Sequence, residues 1–463
     1  MISALNLRQP LSGNKITWFC LLLIAAMWSC TSPRQAAGEQ KPPAVSHQDE
    51  QPAPVDQGHD EVQPRDAVIV DTVRWMEDNV APVLIDPSET PVKTSPKGKY
   101  DIALLMPFNA GGAPLFSESQ DPRLNRFVQY YAGVRMALHE IDSMKWPVTT
   151  YTYDAEGSPD AVSKLTQDEG VKNADIIVGP YEKKDIETVA AYGLAHKKFV
   201  VSPWLPSFSA ETANPYLIQL SPALSSHALV ITEFIRDEMP GKKVYVVTRD
   251  NATERNRVQL FSKDSLLKVE ELLIKDVSPE LVNTDLHAKL SDDRGTVFIL
   301  PYFSKNDEAF VSAFMRKLHA EKDTREAIVF GLPQWIGFSN LNPNYMESLS
   351  LHLSISSFID IASPGYQSFR NRFFHTYHTV PDLNAFLGYD LMKWMASSLT
   401  SGGTDALTAH PPDETYGLSS GFDIQPVYKA TGASGEKLTT PMYYENRKIR
   451  ILRFLDQDFI LAR

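Results

Sequence analysis

Two histidines three residues apart, His375 and His378 in FRNRFFHTYHTVPD, are followed by Asp382. Residues three apart share a helical face, so the trio has the raw material of a divalent-metal site. The same stretch also reads as an amphipathic helix with exposed histidines, and no further ligand is evident, so no metal is assigned. The neighbouring carboxylates Glu270-Glu271 and Asp292-Asp293 suit solvated faces and turns. Gly432 to Lys437, GASGEK, has the glycines of a phosphate loop but not its Gly-Lys-Ser/Thr ending. No G-x-S-x-G nucleophile elbow occurs. The chain offers no catalytic set and no cofactor site, and we read it as non-catalytic.

A different chemistry, ligand recognition, is suggested at NADIIVGPYEKKDIETVAAYG, residues 173–193. DIIVG is a short buried strand stopped by Gly179-Pro180. After the charged break, Ile186, Val189, Ala190 and Gly193 recur at helical spacing. Strand, tight turn and helix form half of a β-α-β unit, and ligands of such sheets bind beyond the carboxyl ends of the strands. Tyr181 follows that stop. The strand KFVVSP ends in the same way at Ser202-Pro203, followed by Trp204.

Stepping outward, the elements that must position these residues alternate regularly from residue 99. YDIALLMPF is a strand, ending at Phe108 and Asn109. RLNRFVQYYAGVRMALHEID is a helix with Leu124, Phe127, Val128, Tyr131, Val134, Leu138 and Ile141 on one face. VTTYTYD, DIIVG and KFVVSP add strands. After NPYLIQLSP the alternation restarts with HALVITEFIRDEM, KKVYVVT, KVEELLIKD, GTVFILPY, EAFVSAFMRKLHA and EAIVFGLP. Successive β-α units imply an α/β fold of mainly parallel sheets flanked by helices, and two such halves imply two lobes with a cleft between them. In the second half Tyr302, Trp335 and Phe358 lie near strand ends and are candidates for the opposite cleft wall; core packing is the alternative role for such aromatics.

The chain has 463 residues, 43% of them hydrophobic, which suffices for one large core or two modest ones. Its 45 basic and 57 acidic residues give a net charge of −12, with no basic surplus to replace phosphate counterions, so nucleic acid is excluded as a partner. Arg8 and Lys15 precede ITWFCLLLIAAMWSC, an apolar run of secretory length and short for a membrane span. The run closes in Met27-Trp28-Ser29-Cys30, which resembles a bacterial lipobox. Residues 1–29 are then a lipoprotein signal peptide and Cys30 the lipidated residue. An ordinary signal peptide cleaved nearby, or an uncleaved anchor, is the alternative. The only cysteines are Cys20 and Cys30, so the mature chain has no disulfide. Residues 31–98 carry ten of the 32 prolines and twice as many acidic as basic residues, the composition of an unstructured tether.

The order ALLMPF, YYAGVRMAL, VTTYTYD, IIVGP, VVSP, NPYLIQLSP and FLGYDLMKWM resembles type I periplasmic binding proteins of the leucine/isoleucine/valine-binding class, over residues 99–463. The resemblance implies three crossings between the lobes. Lobe one is expected at 99–221 and 355–409, and lobe two at 222–354 and 410–463. It also implies that Asp390, in GYD, begins a helix near the lobe junction in a structural role. In amino-acid-binding relatives a hydroxyl soon after Gly-Pro, and small or hydroxylated residues after Ser-Pro, grip the substrate's α-carboxylate. This chain departs from that pattern, with Tyr181-Glu182 in GPYEKKD and Trp204 in SPWLPSFS.

The expected ligand set is Phe108, Asn109, Tyr181, Ser202, Trp204, Tyr302, Trp335 and Phe358. The expected function is a lipid-anchored, extracytoplasmic solute-binding-like protein of the cell envelope that holds a small molecule between its lobes. Its ligand would be larger than a free amino acid, a sugar or peptide, or an envelope protein would take that place. A regulatory scaffold touching cell-wall synthesis machinery is the alternative.

Overall fold

A computed structural model describes residues 97–108, 122–155, 159–206, 213–278, 280–409, 417–419, 421–428 and 440–462, all within one compact unit, Asp66–Arg463. The leader, Cys30, the tether up to residue 96, Asn109 and the 432–437 loop lie outside the described residues. Two sheets carry the fold. The first contains β1 (Tyr100–Met106), β2 (Val148–Asp154), β3 (Ile176–Val178), β4 (Phe199–Ser202) and β5 (Leu217–Gln219), with β11 (Ile424–Val427) and β12 (Tyr443–Asn446). Its order is β11-β12-β5-β4-β3-β1-β2, parallel throughout except for β11. The second contains β6 (Lys243–Arg249), β7 (Val269–Ile274), β8 (Thr296–Ile299), β9 (Ala327–Gly331) and β10 (His352–Ile355), with β13 (Arg450–Leu455) and β14 (Asp458–Leu461), in the order β14-β13-β10-β9-β8-β6-β7. Here β13 runs antiparallel to both its neighbours, β10 and β14, and the other pairs are parallel.

The central strands are continuous Ile/Val/Phe runs because helices cover both faces. Both β3 and β9 are buried at every position, whereas the edge strand β2, VTTYTYD, is half exposed. The helices that matter for the site are α1 (Pro122–Ser143), α2 (Lys183–His196), α3 (Leu224–Glu238), α4 (Ala252–Phe261), α5 (Glu308–Glu321), α6 (Pro364–Tyr377) and α7 (Leu383–Gly402). Helices α1 and α7 meet backbone to backbone. A Cβ on Gly133 would lie 1.8 Å from the carbonyl oxygen of Ala385, and one on Gly388 would lie 2.1 Å from that of Tyr130. Only glycine permits so close a crossing. It sets the depth at which Phe127 and Tyr130 reach the strand ends.

The buried stripe of α1 is Phe127, Tyr130, Val134, Ala137 and Ile141, while Val128, expected on that face, is 56% exposed. The C-terminal strands also differ from expectation. Residues 410–463 do not all join lobe two, because β12 pairs with β5 and β11 pairs with β12, extending the lobe-one sheet. Helices α6 and α7 pack in the lobe-one core as well. The third crossing is therefore at 447–449, and only β13 and β14 return to the second sheet. Glu445 on β12 ties the first crossing to the third, accepting the N–H of Ala223 (2.5 Å) and the hydroxyl of Ser226 (3.1 Å) at the start of α3.

Asp390 lies well inside α7, not at its start, and its carboxylate accepts the N–H groups of Leu418 and Ser419 (both 2.8 Å) and the Ser419 hydroxyl (2.6 Å). It anchors Leu418 and Ser419 to α7.

Candidate functional site

In lobe one, β3 stops at Val178 because the next residue, Gly179, adopts φ +84°, a conformation L side chains rarely take. A Cβ there would lie 2.4 Å from the Leu105 carbonyl oxygen and 3.7 Å from the Trp204 ring. The turn delivers Tyr181 and the first residues of α2 to the end of the sheet. Strand β4 delivers Ser202, then Pro203 and Trp204, to the same place.

There the Trp204 ring is packed by three others. Its centroid is 5.0 Å from that of Tyr130, 5.2 Å from Phe127 and 5.9 Å from Tyr181, and Phe127 meets Tyr181 edge-on at 5.1 Å. Edge-to-face and tilted arrangements at these separations are attractive. The Arg126 guanidinium reaches the Tyr181 hydroxyl at 3.5 Å. Thus Tyr181 and Trp204 come together as expected, joined by Phe127 and by Tyr130, which the sequence reading left out. The heptad-like series 127, 130, 134, 137, 141 is the signal that would have included Tyr130. Ser202 is buried beside them.

Several polar groups in this region lack partners among the described residues: Trp204 Nε1, Tyr130 Oη, Ser202 Oγ and both carboxylate oxygens of Asp185. Asp185 stands in the first turn of α2 and is 1% exposed. Burial, with the Glu182 charge adding to it, pushes its carboxyl above the ordinary aspartate range. Phe108 sits apart from the cluster, edge-on to Tyr131 at 5.4 Å, with its N–H donating to Asp154 Oδ1 at 2.9 Å.

Lobe two presents no matching aromatic wall from the predicted residues. Tyr302 is 0% and Trp335 2% exposed, both inside the lobe-two core. Trp335 fits there because its ring lies over Gly331, where a Cβ would be 2.6 Å from the indole, and its Nε1 donates to the Tyr302 carbonyl at 2.7 Å. The Tyr302 hydroxyl donates to Glu254 on α4 at 3.1 Å. Arg249, at the end of β6, bridges Glu254 and Asp307 with its guanidinium over the rings of Tyr302 and Phe310 at 4.8 and 5.0 Å. Burial alone would raise the Glu254 carboxyl, but the hydrogen bonds from Arg249 hold it below the ordinary glutamate range. Phe358 is half-buried against the lobe-two core, and its N–H donates to Ser419 O at 2.5 Å.

Beside the interlobe crossings lies a cavity of about 60 Å³ lined by eleven of the described residues, none of these charged. Its polar lining consists of Tyr130, Trp204, Ser221, Ser356, Ser357 and Asn446. Ser221 belongs to the first crossing and Ser356 and Ser357 to the second, and Asn446 immediately precedes the third. Sites for drug-sized ligands have roughly 300–1,000 Å³, so this space accommodates a single functional group. The serines and Asn446 were not foreseen.

His375 and His378 are both exposed; α6 ends at Tyr377, and His378 turns left-handed at φ 56°. Asp382 is engaged in capping α7, accepting the N–H groups of Asn384 and Ala385 at 2.8 and 3.2 Å. The described residues contain no group of three or more His, Cys, Asp or Glu disposed to hold a metal ion, and no helix among them is long and apolar enough to cross a membrane.

Residues 127–263 match the family model for periplasmic binding proteins. No curated protein matches the sequence. A Rhodospirillum rubrum protein described as a branched-chain amino acid ABC transporter is similar in structure, with TM-score 0.55 and 15% identity, over 79% of this chain and all of that one. An ABC transporter substrate-binding protein of Desulfitobacterium hafniense gives TM-score 0.50 and 13% identity, over 79% of this chain and all of that one. Full-length LpoA of Haemophilus influenzae gives TM-score 0.50 and 13% identity, over 80% of this chain and 60% of that one. At these identities the likeness is one of fold. The architecture is that of type I periplasmic binding proteins, two lobes of mainly parallel sheets joined by three crossings.

Proposed function

Given a type I periplasmic-binding-protein fold whose lobe-one strand ends are filled by packed aromatic rings, we propose a non-catalytic, extracytoplasmic binding function directed at something other than a free branched-chain amino acid. One observation carries this reading: Trp204, packed by Phe127, Tyr130 and Tyr181, occupies the space behind Ser202-Pro203 where the amino-acid pattern needs small or hydroxylated residues. A buried carboxylate without partners costs several kcal/mol, comparable to the whole affinity of a weak binder. Glu182, beside Tyr181, adds repulsion. The ligand is larger, a sugar, a peptide or a partner protein of the envelope, held between the lobes.

In this reading Cys30 carries the lipid that anchors the chain to the envelope, and residues 31–98 give the body its reach. Calorimetric titration of the purified chain with leucine, isoleucine and valine tests the ligand claim. No heat of binding is expected at micromolar concentrations; micromolar affinity abolished by Trp204→Ala would overturn it. For the anchor, Cys30→Ala is expected to move the protein from the membrane to the soluble extracytoplasmic fraction. Unchanged retention of the variant, with no lipid mass on the wild-type N-terminus, would exclude lipidation.

A further inference from the structure

The edge strands among the described residues are β2 and β11 in the first sheet and β7 and β14 in the second. An unpaired edge invites another strand, and proteins blunt it with charge, proline or shortness. Three of these edges are blunted so. β7, VEELLI, carries Glu270 and Glu271; β11, IQPV, carries Pro426; and β14, DFIL, has only four residues. By contrast β2, VTTYTYD, has seven residues and no charge before Asp154 at its end. Tyr151 is 37% exposed, and Thr152 beside it is exposed as well.

The ladder with β1 fixes which groups of β2 face outward. Tyr100 N–H donates to Pro147 O and Ala155 N–H to Met106 O, both at 2.8 Å, so the odd-numbered residues of β2 turn their backbone groups toward β1. Thr150 and Thr152 turn theirs outward, and no described strand pairs with them. A strand that pairs with itself about a two-fold axis runs antiparallel and sets one residue on the axis. The sequence is symmetric about such a residue, Thr150-Tyr151-Thr152. With Tyr151 opposite Tyr151 of the second copy, the outward groups of Thr150 and Thr152 meet those of Thr152 and Thr150 there. Threonine opposite threonine and aromatic opposite aromatic are favourable cross-strand pairs. At the ends Asp154 meets Val148, so no like charges are opposed.

We propose that β2 is a self-association edge, through which two copies of the chain join their first sheets into one continuous sheet about a two-fold axis at Tyr151. This goes beyond the ligand reading and does not depend on it. β1 separates β2 from β3, and β4 lies further still, so the aromatic cluster at the ends of β3 and β4 is not part of the interface. A single strand edge is a small interface, so the dimer is reversible and forms in the micromolar range.

Disulfide cross-linking tests the register, in the full chain with Cys20 and Cys30 replaced by serine so that added cysteines are its only thiols. Opposed residues that share no hydrogen bonds have Cα atoms about 4.5 Å apart, within disulfide reach. Tyr151→Cys is therefore expected to give a covalent dimer under mild oxidation. Thr150→Cys alone is expected not to, because its two copies are offset along the strands and lie about 8 Å apart. Thr150→Cys mixed with Thr152→Cys is expected to cross-link. In sedimentation equilibrium the cysteine-free chain is expected to dimerise. Tyr151→Lys, which sets two ammonium groups on the axis, is expected to weaken the dimer about tenfold with its unfolding midpoint little changed.

A chain that stays monomeric up to its highest soluble concentration would overturn the proposal. So would a dimer that Tyr151→Lys leaves intact, or one cross-linked as readily through Thr150→Cys alone, since each uses another surface or register. A disulfide within one chain carrying both Tyr151→Cys and Val70→Cys, with no dimer, would give the edge to the tether and equally overturn it. The cross-linking stands by itself where Tyr151→Lys does not fold. These measurements use no ligand, so their failure leaves the proposed function standing.

Discussion

Each lobe ends a parallel strand in glycine and lays a tryptophan against it, but the two indoles are held differently. In lobe two, Trp335 lies over Gly331, is sealed in the core and donates its N–H to the Tyr302 carbonyl. In lobe one, Trp204 approaches Gly179, is only half-buried, and its N–H finds no partner among the described residues. Similar local geometry therefore supports two roles. A tryptophan whose hydrogen bond and packing are both satisfied gains from each, and one whose packing alone is satisfied keeps the desolvation cost of its donor.

The largest expected effect is on the satisfied side. Trp335→Ala should lower the stability of the lobe-two transition by about 3–5 kcal/mol, the usual cost of deleting a large buried aromatic, as read from the urea midpoint. A loss under about 1 kcal/mol would show that Trp335 is not a core element. Gly179→Ala comes next. Its positive φ and the 2.4 Å approach of the new Cβ to Leu105 O should cost about 2 kcal/mol and move Trp204, changing the near-ultraviolet circular dichroism.

The sharpest contrast uses one substitution at both places. Trp335→Phe leaves the Tyr302 carbonyl without its donor and should cost about 1–2 kcal/mol. Trp204→Phe removes no hydrogen bond within the described residues and should cost less than about 0.5 kcal/mol beyond any repacking. Equal losses would erase the distinction drawn above.

The smallest effect depends on pH. Asp185, also in lobe one, is a buried carboxyl whose folded pKa is raised by burial and by Glu182. A carboxyl so shifted favours the folded state most while protonated in both states, below about pH 4. That contribution is lost as pH rises through the ordinary aspartate value to the raised one. Asp185→Asn should therefore be more stable than the native chain at pH 7 and equal to it near pH 3. A gain that persists unchanged into acid would mean the carboxyl is not desolvated.

Much of the fold was legible because its signals are local. Runs such as DIIVG, KFVVSP and EAIVFGLP carry their own strand length and terminators, and the helices between them show their spacing. The β11 and β12 strands were misplaced because nothing in IQPV or YYEN specifies a partner, and Tyr444 pairs with Ile218 in a distant part of the chain. Tyr302 and Trp335 looked like cleft residues because aromatics after strand ends often are. Their burial depends on space that Gly331 leaves for an indole four residues later. The cavity was not legible at all. Three separate crossings build it, and a serine in a crossing looks like a serine in any loop.

The route of the chain has a consequence for biogenesis. Residues 443–446 pair with β5 in the first sheet, and residues 450–461 add two strands to the second. As the chain is synthesised, each lobe has its helices and inner strands early but stays open along one side until these late residues arrive. Contacts so distant in sequence form slowly. Both lobes therefore reach their final form together, at the last stage of synthesis, and a chain stalled before residue 443 exposes two unpaired sheet edges as a substrate for chaperones and proteases.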